Sequence, residues 1–302
     1  MKKRAYLYML ITTLIWGGSY VIGKMTVNEF PPLTLTFFRF LISAAIILPI
    51  MIKKEGKRAL LSVKDLPVML LIALTGGFGY SMMYFFSLVH TTAIKSSMIV
   101  AINPLTTLLL AAVILKERLS LIKTGSILLA LFGVMITITD GFSLFRSGFS
   151  FNPGDLIMLS AVGLYSFYSV ISHKIMNRYS PVILTGYSFI ISMFCMIPIV
   201  WHEKPFEIWA RASLNGRLSV IYLGAFASAV AYLLHQVSIK HLGASKSMSF
   251  YSLVPIFTAM FSIIFLKENL SLSLFIGGTA IITGIWLNYN YKGRKNALNT
   301  AG

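Results

Sequence analysis

Residues 93–120 read AIKSSMIVAINPLTTLLLAAVILKERLS, and residues 244–271 read ASKSMSFYSLVPIFTAMFSIIFLKENLS. Laid one over the other, Ala93, Lys95, Ser96, Pro104, Thr107, Leu115, Lys116, Glu117, Leu119 and Ser120 meet Ala244, Lys246, Ser247, Pro255, Thr258, Leu266, Lys267, Glu268, Leu270 and Ser271. Two unrelated apolar helices match Leu with Leu by chance. They do not match a Lys-Ser start, a mid-helix Pro and a terminal Leu-Lys-Glu in one register. A second overlay places Pro32, Leu35, Thr36, Phe40, Ser43 and Pro49 on Pro181, Leu184, Thr185, Phe189, Ser192 and Pro198. The chain therefore reads as a duplication.

Crossing a bilayer takes about 20 mostly apolar residues in a helix. Working outward from the two quoted stretches, ten segments of that kind can be drawn. They are Ala5–Gly23, Leu33–Ile52, Leu66–Ser87, Ser96–Leu115, Leu121–Thr139, Leu156–Ile175, Val182–Trp201, Leu218–Ile239, Ser247–Leu266 and Leu272–Tyr289. The expected fold is an all-α polytopic membrane protein of ten transmembrane helices. Residues 1–140 form one five-helix repeat, 152–290 a second, and 291–302 a cytoplasmic tail. Five is odd, so the second repeat is inverted relative to the first. Inverted repeats mark secondary transporters, whose substrate site lies between the halves near the midplane.

Charge agrees with this. Of 302 residues, 26 are Lys or Arg and 9 are Asp or Glu, a formal net charge of +17. Taken alone, such an excess suggests nucleic acid. Yet 57% of residues are hydrophobic and 12% charged, against about 25% charged in soluble domains. A soluble or disordered chain is excluded, and nucleic acid is not the expected partner. With the N-terminus cytoplasmic, eighteen basic residues fall inside, seven outside and Arg39 within a span. That is the positive-inside bias, with both termini cytoplasmic in a bacterial inner membrane. Met1-Lys2-Lys3-Arg4 resembles a signal-peptide start. Trp16, Tyr20 and Lys24 stand where a small-residue cleavage site would be needed, so the segment reads as a retained first span. Cys195 is the single cysteine and can form no internal disulfide.

Several local marks are specific. They are Leu14-Ile15-Trp16-Gly17; Pro32-Leu33 leading to Phe38-Arg39-Phe40; the small-residue start of the fourth span reaching Pro104, then Leu115-Lys116-Glu117; and Ala244-Ser245, Pro255 and Leu266-Lys267-Glu268. With them the whole chain resembles the EamA-like exporters of bacteria, within the drug/metabolite transporter superfamily. The resemblance implies a ten-helix inverted-repeat fold around a central cavity lined mainly by the first, third, fourth, sixth, eighth and ninth helices. It also implies a cargo of amino acids, their derivatives, other small metabolites or drugs, usually moved outward.

Polar groups facing lipid are costly, so those inside spans should face a cavity or another helix. Three-to-four spacing gathers Trp16, Ser19 and Tyr20; Tyr80 and Tyr84; Tyr165 and Tyr168; and Tyr232 and His235, while Asn103 follows Lys95 on the fourth span and Tyr251 follows Lys246 on the ninth. As a set they describe an aromatic cavity with a few hydrogen-bonding groups, suited to a small amphipathic solute. Singly, a Tyr or Ser reads first as helix packing or an interfacial belt; only the set favours a cavity. Pro104 and Pro255 interrupt helices at midplane and act as hinges or static kinks. Arg39, Glu117 and Glu268 read as structural charges, with Glu268 a partner for Arg39 on depth alone. Gly125, Gly133, Gly277 and Gly284 read as close-packing positions.

The nine acids are Glu29, Glu55, Asp65, Glu117, Asp140, Asp155, Glu203, Glu207 and Glu268, and none is expected mid-span. A midplane carboxylate exchanging protons for a dicationic drug is thus disfavoured, and a zwitterionic or anionic metabolite favoured. Without HExxH, GxSxG or a P-loop, the chain is not read as an enzyme, and no cofactor or metal is expected. The functional reading is export of an amino acid, related zwitterion or organic acid by alternating access, as a monomer or homodimer. The alternatives are a non-transporting sensor or scaffold and a flippase of a lipid-like substrate.

Overall fold

Every long apolar run forms a helix, because a helix satisfies its own backbone hydrogen bonds where water is absent. The computed structural model describes residues 2–114, 121–139, 152–175, 178–242, 247 and 250–300. Glu117 and Lys246 lie outside the described residues. We name the helices α1 (Lys2–Thr26), α2 (Pro32–Glu55), α3 (Val63–His90), α4 (Ala93–Leu110), α5 (Leu121–Ile138), α6 (Pro153–Ile175), α7 (Pro181–Val200), α8 (Leu214–Leu242), α9 (Phe250–Leu266) and α10 (Leu272–Thr300). Eight of them, α1 to α8, are long and apolar enough to cross a membrane; α9 and the Leu272–Leu287 part of α10 are shorter apolar helices. Their outward faces are apolar, with Leu128, Phe132, Phe194, Phe265 and Phe275 all exposed. Buried polar side chains such as Asn103, Asp155, Ser228 and Gln236 face inward. Apolar outside and polar within suits a lipid solvent.

Packing follows a pattern of exchange. α1 lies against α8 and α9, while α6 lies against α3 and α4. α2 packs on α7 and α5 on α10, and α2 touches the middle of α8 as α7 touches the middle of α3. Swapping the chain halves maps α1–α8 and α1–α9 onto α6–α3 and α6–α4, exchanges the two mid-helix contacts, and returns α2–α7 and α5–α10 to themselves. The α5–α10 contact is close because glycines remove side chains from it. A Cβ on Gly133 would meet the Gly277 carbonyl at 2.6 Å, and one on Gly284 the Ser126 carbonyl at 2.6 Å. Gly125 differs from the expectation: nothing lies within 4 Å of the position its Cβ would take.

Two helices are not continuous rods. α4, whose helical backbone continues past Leu110 to Ile114, breaks between Ala93–Val100 and Asn103–Ile114, so Pro104 sits in the first turn of a restarted helix, where its missing N–H costs nothing. In α9 a 3-10 turn, Phe250–Ser252, precedes the α-helix Leu253–Phe261, again with Pro255 in the first turn. α3 and α8 each widen mid-length into π-helical segments, Ala73–Gly79 and Leu223–Val230.

Candidate functional site

Where α1, α2, α3, α4, α6, α8 and α9 converge they leave a cavity of about 30 Å³, lined by Trp16, Ser19, Tyr20, Arg39, Tyr80, Tyr84, Val100, Tyr165, Tyr232, Tyr251 and Val254. That is room for about two waters, against roughly 300 Å³ or more for a site holding a ligand. The walls are drawn together around it. Trp16 forms part of its wall, its ring 5.1 Å from that of Tyr251 and 5.5 Å from that of Tyr232. Its Nε1 donates to the Ala227 carbonyl at 3.0 Å, a carbonyl in the π-helical part of α8. Tyr84 donates to the Ser19 carbonyl at 2.9 Å, locking α3 to α1. The Tyr165 and Tyr251 hydroxyls share a hydrogen bond of 2.7 Å, joining α6 to α9.

Eight of the expected cavity residues thus come together: Trp16, Ser19, Tyr20, Tyr80, Tyr84, Tyr165, Tyr232 and Tyr251. Tyr168 lies behind the wall, its ring 5.4 Å from that of Tyr165 and its hydroxyl accepting from Gln236 Nε2 at 3.2 Å. His235 packs 5.2 Å from Trp16 and 5.6 Å from Tyr251, ring to ring, and neither of its nitrogens has a hydrogen-bond partner. Asn103 is fully buried at the α4 restart, its Oδ1 accepting from Ser166 at 3.3 Å.

Lys95 is placed elsewhere. Its ammonium pairs with Asp155 at 3.2 Å, and Thr91 also donates to that carboxylate. This lysine is therefore not one of the residues that line the cavity. Glu268 is not the partner of Arg39 either. Its carboxylate accepts the Ala93 and Ile94 N–H groups at 2.9 and 3.1 Å, capping the start of α4. Arg39 instead turns into the cavity. Its Nε donates to Ser228 on α8, and its guanidinium lies over the rings of Tyr84 at 5.9 Å and Phe85 at 5.5 Å.

Sequence reasoning missed two things. Arg39 belongs to the cavity wall, and the available signal was its asymmetry, since Ser188 holds its position in the second half. Asp155 is fully buried; it lies one residue before the drawn span, and nothing local betrays that α3 and α4 close over it.

Comparison with known proteins identifies the family. The EamA-like transporter family profile matches this chain twice, over residues 3–139 and 152–290. The chain belongs to the EamA-like transporter family. It is a multi-pass membrane protein, and its EamA-like relatives span nearly its whole length. The uncharacterized transporter YyaM of Bacillus subtilis (strain 168) is 27% identical, with 93% of this chain and 92% of that protein covered. A probable terminal-alkyne amino-acid exporter of Streptantibioticus cattleyicolor is 23% identical, with 99% and 98% covered. In fold, this EamA-like chain matches a crystal structure of 20% identity with a TM-score of 0.66, over 95% of this chain and 96% of that one.

Proposed function

We propose that this chain is a secondary transporter of the bacterial inner membrane that exports a small metabolite, an amino acid or related zwitterion or organic acid, by alternating access. Ten helices cross the bilayer as two inverted five-helix repeats, residues 1–140 and 152–290, with both termini and the 291–302 tail cytoplasmic. The observation that carries this reading is the tyrosine-walled cavity, to which both chain halves contribute. Packing that maps onto itself when the halves are exchanged supports the inverted arrangement. Such symmetry gives two states, open to either side, of comparable energy. The relative described as a probable amino-acid exporter supports the cargo class. A cavity this small belongs to the closed state, so the walls must part to admit a solute.

Counterflow in proteoliposomes loaded with a panel of amino acids and organic acids, with and without a pH gradient, tests the reading. At least one solute should exchange. Tyr84→Ala, which loses an aromatic contact and a hydrogen bond, or Tyr232→Ala, which loses ring contacts with Trp16 and Phe189, should lower that exchange at least about tenfold. Gly125→Ala, with open space around it, should leave it unchanged. No exchange of any solute, or tyrosine variants as active as the parent, sinks the reading. A lipid-like cargo has one observation in its favour, an apolar crevice of about 310 Å³ between α1, α8 and α9. Transfer of a fluorescent phospholipid between leaflets, without amino-acid exchange, is the result that favours it.

A further inference from the structure

Arg39 is 4% exposed, deep in a helix bundle, and its guanidinium lines the cavity. A charge removed from water is costly unless paired. Guanidinium cannot escape by deprotonating. Among the described residues no carboxylate forms an ion pair with it, and its only hydrogen bond runs from Nε to Ser228. Of the seven described acids, Glu55 lies at the far end of α2, sixteen residues along the helix from Arg39, and the other six are engaged away from it. Glu29, Asp65, Asp155, Glu203 and Glu268 bind helix ends or basic groups, and Glu207 pairs with Lys204 and Arg211. The rings of Tyr84 and Phe85 offset part of the cost. They supply no negative charge. The fork of terminal N–H groups, which matches a carboxylate in bidentate geometry, is left for whatever enters the cavity.

We infer that Arg39 is the anchor for a carboxylate on the transported solute, so that this site selects acids and amino acids over their uncharged or amide counterparts. The inference rests on the transporter reading above and adds the chemical class of the ligand and the residue that reads it. Ser228 positions the guanidinium, since its hydroxyl accepts from Nε and donates to the Leu223 carbonyl at 2.9 Å. The tyrosine and tryptophan walls then face the remainder of the solute. Lys95 is already paired with Asp155, which leaves Arg39 as the cation of the cavity wall among the described residues.

Proteoliposomes loaded with an amino-acid mixture supply the test. Counterflow is measured for phenylalanine, leucine and alanine, and each is challenged with its own amide as competitor. The acid should compete on the order of 10–100-fold better than the amide, the scale of one charge-assisted bidentate contact. In Arg39→Gln that ratio should collapse towards one. In Arg39→Lys, which keeps the charge and loses the fork, it should fall only in part. Thermal unfolding of the purified protein in detergent, with the acid or the amide added, gives a readout that needs no transport. The acid should stabilise the parent and not Arg39→Gln. A merely structural Arg39 would lower exchange of everything and leave the ratio unmoved, which overturns the inference. So does a parent that moves acid and amide equally well, while leaving the transporter reading standing. A parent that exchanges nothing and is stabilised by nothing overturns both. If Arg39→Gln does not fold, the ratio in Arg39→Lys and Ser228→Ala decides: unchanged in both, the anchor is not Arg39.

Discussion

Glu268 accepts from the N–H groups of Ala93 and Ile94, two of the donors that the start of a helix leaves without partners. Thr92 supplies a further cap, its Oγ1 accepting from Lys95 N at 3.1 Å. The carboxylate comes from the far half of the chain and also meets the positive end of the helix dipole. Glu203 does the same for α2, accepting from Thr34 N at 3.0 Å and Thr34 Oγ1 at 2.6 Å, and Glu29 for α8, through Ser213 N at 2.9 Å and Oγ at 2.8 Å. Glu268→Ala should therefore lower stability by about 1–3 kcal/mol, the range for donors left without a charged acceptor. Glu268→Gln should lose less, because its amide oxygen still accepts. Thermal unfolding in detergent checks the order; equal stability of all three proteins would mean that water caps α4 as well as the carboxylate does. The Leu-Lys-Glu motif was legible in the sequence as a structural mark. Its target was not, because which helix start lies beside a given loop is a property of the folded bundle.

The π-helical segments are the element-scale counterpart. A π turn frees carbonyls from the α-helical ladder, and here a serine from the neighbouring helix takes each site. Ser43 on α2 donates to the Gly224 carbonyl at 2.8 Å, and Ser192 on α7 donates to the Ala73 carbonyl at 3.0 Å. These serines are mates in the sequence overlay, so a pairing visible as letters becomes the same joint built twice. Glycine permits the close approach. A Cβ at Gly224 would lie 2.7 Å from Ile42 Cβ and 3.1 Å from the Arg39 carbonyl, neither of which is a flexible chain end. Gly224→Ala should push α2 off α8 and cost about 1–3 kcal/mol, as overpacking does. It should also reduce exchange by more than stability explains, since Arg39 sits in that contact. Gly163→Ala, with nothing within 4 Å, should be neutral or stabilising by up to about 1 kcal/mol through helix propensity. Melting curves and counterflow on both variants separate the cases. Hydropathy placed these helices to within a few residues, because a long apolar run has few alternatives in lipid. It drew α4 and α9 as unbroken, because the Pro104 and Pro255 breaks barely alter a hydropathy average.

On the scale of the molecule, the scarce acids acquire a common use. Glu29, Asp155, Glu203 and Glu268 each join a residue before 140 to one after 152, and all do so where α1, α3, α7 and α9 end and α2, α4, α6 and α8 begin. That is one end of an antiparallel bundle, the end the basic-residue bias assigns to the outside. At the opposite end Asp65 accepts from Tyr179 at 2.7 Å and from Arg178 at 3.0 Å, and this hydrogen bond to a carboxylate holds the Tyr179 phenol above its ordinary pKa. The sequence showed that carboxylates avoid the middle of the spans; that they bridge the halves needed the packing of both. In the proposed alternating-access cycle, parting the halves at that end breaks these contacts. Glu29→Gln with Glu203→Gln leaves one accepting oxygen at each site and removes the charge, a loss of about 1–2 kcal/mol for one exposed and one half-buried site together. The outward-open population should then rise roughly 5–30-fold. A cysteine at Ser19, on the cavity wall, reports it in a Cys195→Ser background. A membrane-impermeant maleimide added from outside should label that cysteine faster in the double variant by about that factor, and added from inside it should label no faster. Equal outside rates in the two proteins would mean that these carboxylates hold helix ends without holding the halves shut.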